Sequence, residues 1–177
     1  KPAVSAILNL TPDHLNRHHT MEAYGAAKAR IFENQDESGY CIVNYDDKLC
    51  YGLTKDCKAK VIPFSIKEEL PLGAYLRADG MLVLRNEEGR EIELCHRNEL
   101  KIIGDHNVQN ALAAAAISYF SGIDAETIHE SLLAFGGVPH RIEYCGEIGG
   151  VKFYNDSKGT NVDAAVIALK AIQKNIL

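Results

Sequence analysis

Short apolar runs alternate with helix-patterned segments along the whole 177-residue chain, and that alternation restricts the fold more than any other feature. AVSAILNL (Ala3–Leu10) is mostly apolar and ends at the turn formers Thr11-Pro12-Asp13, which reads as a buried strand. Thr20 can cap a helix over about Met21 to Asn34. YCIVNY (Tyr40–Tyr45) and AKVIPF (Ala59–Phe64) are further strands, with a partly helical polar stretch, Asp46–Asp56, between them. GMLVLRNEEGREIELCHR has the pattern of a hairpin turning at Asn86-Glu87-Glu88-Gly89. Asp105 can cap a second helix, HNVQNALAAAAISYF, which Gly122 stops, and a third helix covers Ala125 to Ala134. Interleaved strands and helices predict an α/β fold.

FGGVPHR (Phe135–Arg141) combines a Gly-Gly pair with a proline and marks a domain boundary, giving domains at 1–137 and 138–177. Beyond it come two short strands around Gly149-Gly150 and a last helix from Val162, too short a stretch to form its own core. Lys1-Pro2 leads straight into the first apolar run, as if cut from a longer protein. A formal charge of -5 argues against non-specific binding to nucleic acid or to an acidic membrane, since both need a basic face. No run reaches the ~18 apolar residues of a membrane span, and no signal peptide opens the chain. The five cysteines are scattered, odd in number and free of C-x-x-C pairs, which offers neither a zinc site nor a disulfide framework. Reduced thiols in a cytoplasmic protein are the expectation.

Four places carry residues suited to chemistry. In NLTPDHLNRHH, His14 follows the first strand, where open α/β sheets bind ligands; it is either a metal or phosphate contact or a surface histidine in a turn. Met21, Tyr24, Lys28 and Ile31 share one helix face, so Lys28 either snorkels to water or is held under a polar site. Burying its ammonium unpaired would cost several kcal/mol, about the price of any isolated buried charge. In GDHNVQNALAAAA, Asn107 and Asn110 lie on one side of a helix N-terminus and can bind a nucleotide or anchor the adjoining loop. YNDSKGTN (Tyr154–Asn161) sits at a strand end. Thr160 with Asp163 resembles a capping box, which leaves Asn155, Asp156, Ser157 and Lys158 unexplained by helix initiation. His140-Arg141, at the presumed domain junction, put an arginine within reach of an interdomain phosphate.

Taken in order, ILNLTPDHLNRHHTMEAYGAAKARIF, GDHNVQNALAAAA, GVPHRIEY and GVKFYNDSKGTN resemble the Mur ligases of peptidoglycan synthesis over essentially the whole chain. The N-D-S-K-x-T-N form is similar to members that add D-glutamate to UDP-N-acetylmuramoyl-L-alanine; other branches carry D-Y-A-H-like sequences there. The resemblance implies part of a central, P-loop ATPase-like domain with a mixed sheet, then the start of a Rossmann-like C-terminal domain. It implies amide formation driven by ATP and Mg2+ through an acyl phosphate, in a cytoplasmic enzyme that is monomeric when intact. By the same resemblance His14 would ligate magnesium, and Lys28 would be carbamylated by CO2 and support the metal, with Tyr24 lining that site. Asn107 and Asn110 would lie by the adenine, His140 at the hinge, Arg141 on the ATP phosphates and Asp156 on the ribose. Ser157, Lys158 and Thr160 would lie near the D-glutamate and acyl-phosphate region, and Asn161 matches the motif without a separate role.

The family's G-x-x-G-K-T loop occurs nowhere in these residues, and the UDP-binding and most C-terminal sequence is missing too. The expectation is a truncated fragment without ligase activity of its own. Two alternatives stand beside it: another Mur or folylpolyglutamate-type ligase, and a non-catalytic nucleotide-binding module that lacks the phosphate loop.

Overall fold

The computed structural model of the chain describes residues 1–12, 15–160 and 162–172, apart from the side chains of Leu15 and Asp163. Strand β1 (Val4–Ile7) is followed by a short helix α1 (Leu15–His18) and by α2 (Met21–Ala29), and the chain returns in β2 (Tyr40–Asn44), parallel to β1. A second crossover, α3 (Lys48–Gly52) with a 3-10 turn, leads to the parallel strand β3 (Lys60–Ser65). Next come β4 (Gly73–Leu76), still parallel, and the antiparallel strands β5 (Met81–Arg85) and β6 (Glu91–His96). All six lie in sequence order in one mixed sheet. Helices α4 (Asp105–Phe120) and α5 (Ala125–Ala134) follow, then a hairpin of β7 (Glu143–Ile148) and β8 (Val151–Asn155), and finally α6 (Val162–Ile172).

Both faces of the sheet are covered, which is why β2 reads as an unbroken apolar run. Cys41 and Val43 point to the face shared with Ile7, Leu10 and Phe32, while Ile42 points to the opposite face with Ile62, Phe64 and Leu112. Each such fully buried aliphatic side chain contributes about 1.5–3 kcal/mol of transfer free energy. The alanines of α4 let that helix lie close across β1 to β5, with Ala113, Ala115 and Ala116 buried.

Several local expectations meet the structure directly. Thr20 accepts a hydrogen bond from the Ala23 amide at 3.1 Å and starts α2. Gly122, at φ 94, ends α4, and Asp124 caps α5 by accepting from the Thr127 amide at 2.9 Å. Others need correction. The α2 helix ends at Ala29 and passes into a 3-10 turn over Arg30–Phe32, short of Asn34. Its Met21–Ile31 stripe is not a buried face: Ile31 is 45% exposed, and the buried position is Gly25, whose missing Cβ lets Leu53 and Leu10 approach. Asp105 does not cap α4; Gly104 holds that place at φ 94, and Asp105 pairs instead with Arg97 at 2.6 Å. A side chain at Gly104 would also collide with Ala171 of α6, its Cβ falling 2.7 Å away.

Candidate functional site

The hairpin assembles the site. Its first register pair, Glu143 with Asn155, sets the segment entering β7 beside the segment leaving β8. The backbones then join, the Lys158 amide donating to the His140 carbonyl at 3.0 Å. Asp156 Oδ1 accepts from the Ile142 amide at 3.0 Å, and Asn155 Oδ1 accepts from the Ser157 amide at 3.1 Å. Two motifs separated by 13 residues in sequence, HR and NDSK, thus become one surface.

Arg141 and Lys158 reach from that surface into a cavity of about 600 Å³ between α4 and α5. Asn107, Asn110, Ala111, Ile128 and Leu132 are among its other lining residues. A mostly apolar slot whose lining includes two cations and two amides suits a ligand with a flat apolar part and an anionic part. Asn107 also anchors the preceding loop, its Nδ2 donating to the Ile103 carbonyl at 2.8 Å, while Asn110 Nδ2 lies 3.4 Å from Asn107 Oδ1. The loop-anchoring alternative for Asn107 is therefore realised, with its side chain still bordering the cavity. His106 belongs to the same group. Burial, then the Arg141 charge, lowers its pKa, and Asp105 and Asp156 oppose the shift.

Lys28 and Tyr24 line a different place. The Lys28 ammonium lies 5.1 Å from the centre of the Tyr24 ring, and the tilted His18 ring lies with its centroid 5.2 Å from that of Tyr24. Lys28 borders a cavity of about 440 Å³ with Leu8, Asn9 and Ile31 at the C-terminal end of β1. It is part-buried, which keeps it out of the fully buried core. Behind it the Cys50 thiol donates to the Ile7 carbonyl at 3.3 Å, and burial pushes that thiol up to about 12, with Lys28 acting weakly the other way.

His14 and Asn161 lie outside the described residues, as does the Asp163 half of the proposed capping pair; Thr160 is exposed. Among the described residues no three His, Cys, Asp or Glu side chains converge to hold a metal ion. His14, which the resemblance makes a magnesium ligand, is not among them. The sequence reading missed His106, which adjoins a residue it did select, and Glu143, which accepts a hydrogen bond from the His140 amide at 2.8 Å. Only the hairpin register could have revealed Glu143.

Residues 1–118 match the family described as Mur ligase middle domain. The chain is 49% identical over its full length to a UDP-N-acetylmuramoylalanine–D-glutamate ligase of Caldanaerobacter subterraneus subsp. tengcongensis, and spans 38% of that protein. It is 42% identical over its full length to the ligase of that name from Clostridioides difficile, spanning 39% of it. Among solved structures, MurF of Acinetobacter baumannii superposes with a TM-score of 0.76 at 22% identity, over 98% of this chain and 38% of that one. A pseudomurein peptide ligase type C from Methanothermus fervidus superposes at 0.69 and 21% identity, over 99% of this chain and 41% of that one. At such identities the superpositions establish a shared fold.

Proposed function

The chain belongs to the Mur ligase family, and from that premise we propose that it forms part of an ATP-dependent ligase joining D-glutamate to UDP-N-acetylmuramoyl-L-alanine in peptidoglycan synthesis. In this reading ATP phosphorylates the substrate carboxylate, the amine of D-glutamate attacks the acyl phosphate, and phosphate leaves. Phosphoryl transfer of this kind asks mainly for positioning and charge neutralisation. The observation that carries the reading is the convergence of Asn107, Asn110, Arg141 and Lys158 on one cavity. Its apolar wall would take the adenine, its amides the base edge, and Arg141 the phosphates. Lys158, with Ser157 and Thr160, would face the acyl phosphate and D-glutamate. Asp156 would take a ribose hydroxyl through its second oxygen, which lies beside Gly159.

His14 would be a magnesium ligand. Lys28 would carry a carbamate, its neutral amine bonding to the carbon of CO2 and releasing one proton to solvent. That would turn a cation into an anion able to support a metal. The segment before residue 138 would belong to the central domain and the hairpin with α6 to a Rossmann-like C-terminal domain, in a cytoplasmic enzyme. Among the described residues no helix is long and apolar enough to cross a membrane.

The test is ligase turnover by the full-length protein with UDP-N-acetylmuramoyl-L-alanine, ATP and a panel of amino acids. Product with D-glutamate alone is expected, and residues 1–177 by themselves should give none. Product with a different amino acid, or no turnover at all by intact protein, would overturn the reading. Mass spectrometry in the presence of CO2 should find the carbamate on Lys28 and lose it in Lys28→Ala.

A further inference from the structure

Arg141 is delivered to the cavity by a turn bent against its own backbone preference. The residues on either side of it, His140 and Ile142, have φ of 67 and 46. Left-handed backbone crowds Cβ against the following carbonyl, and a β-branched residue such as isoleucine tolerates it least. Such a conformation persists only where surrounding contacts impose it.

Three hydrogen bonds impose it here. Glu143 Oε2 accepts from the His140 amide at 2.8 Å, Asp156 Oδ1 accepts from the Ile142 amide at 3.0 Å, and the His140 carbonyl accepts from the Lys158 amide at 3.0 Å. Asn155 Nδ2 lies 2.9 Å from His140 Nδ1, which ties the imidazole to the same end of the hairpin. The same nitrogen lies 3.7 Å from Glu143 Oε2, the oxygen that accepts from the His140 amide. The register pair Glu143–Asn155 fixes the carboxylate at the base of the hairpin, so the turn cannot relax while the bond lasts.

We propose that Glu143 is a positioning residue: by capping the His140 amide it holds the left-handed turn that aims Arg141 into the α4–α5 cavity. The inference rests on the nucleotide reading of that cavity. Without the cap, His140 returns to the extended region and Arg141 turns away from the slot.

The test uses the full-length protein, with a non-hydrolysable ATP analogue titrated by calorimetry and KM and kcat measured in parallel. Glu143→Ala should weaken analogue binding about tenfold and raise KM for ATP, since a contact of this kind is worth about one hydrogen bond to a charged group. Glu143→Gln keeps a carbonyl oxygen at the same place and should bind like the wild type. His140→Gly, which removes the penalty for left-handed backbone at the residue the cap holds, should recover most of the affinity lost in Glu143→Ala. Amide exchange gives a readout without nucleotide: Glu143→Ala should speed exchange at His140 and leave α4 unchanged. Wild-type binding with an unaffected Glu143→Ala variant, or a loss that His140→Gly does not recover in a folded protein, would overturn the proposal alone. A wild type that binds no nucleotide would overturn the cavity reading and the proposal with it, whatever the exchange data show of the turn.

Discussion

Asp79 accepts from Arg77 Nε at 3.1 Å through each oxygen and from Nη2 at 2.8 Å, and its Oδ1 also accepts from the Met81 amide at 3.1 Å. These bonds, the Arg77 guanidinium first, hold its carboxyl at about 2. The folded value lies below the unfolded one, so the contribution is present above about pH 4 and is lost as pH falls toward 2. The pair is exposed, so water screens the effect and keeps it small. Thermal melts at pH 2, 3, 4 and 7 should show Asp79→Asn with a shallower loss of melting temperature across that acid range than the wild type. Equal slopes would mean that the pair does not matter to folding. Individual residue types were legible in sequence where their role is local, as with Thr20 capping its own helix. Lys28 was not. Its place on a helix face left open both snorkelling to water and a place under a polar site, and the structure shows it part-buried beside the end of β1.

Elements depend on joins that residue patterns do not display. Gln35, only 3% exposed, ties the start of β1 to the start of β2: its Oε1 accepts from Ser5 Oγ at 2.7 Å, and its Nε2 donates to the Tyr40, Pro2 and Ala3 carbonyls at 3.1–3.3 Å. Gln35→Ala leaves a buried hydroxyl and these carbonyls without that partner, and should lower stability by about 2 kcal/mol in urea unfolding. A change below about 0.5 kcal/mol, the usual range for surface substitutions, would show that water or a shifted backbone replaces it. Strands β1, β2, β3, β5 and β6 were evident as apolar runs. Strand β4 was not, because GAYL opens with a glycine that is there for close approach: a Cβ on Gly73 would fall 1.9 Å from the Pro63 carbonyl oxygen. The β7–β8 hairpin was expected from Gly149-Gly150, but its register, which pairs Glu143 with Asn155, follows from a bulge between Tyr144 and Gly146.

In the whole molecule, the cavity between α4 and α5 is where the proposed function and the fold meet. Ala114 lines it from the exposed side of α4, so Ala114→Phe should fill the slot with little effect on the core. Binding of the ATP analogue should fall more than tenfold while the melting temperature holds; unchanged affinity would put the nucleotide elsewhere. Exposed apolar side chains include Leu8, Ile31, Leu49, Ile123 and Phe135, and Ile148, Phe153, Val162 and Leu169 of the hairpin and α6. By itself the sequence determined the alternating α/β plan, some of the helix limits, such as the Thr20 cap and the Gly122 stop, and the family to which the motifs point. Those are set by near-neighbour chemistry: side-chain period, capping groups and glycine's access to left-handed backbone. Only the tertiary structure decided which motifs share a site. Asn107, Asn110, Arg141 and Lys158 meet because α4 lies across the sheet and the hairpin folds its two ends together, whereas Lys28 lines a separate cavity beside β1. Such meetings depend on strand register and on packing between distant segments, which no local pattern encodes.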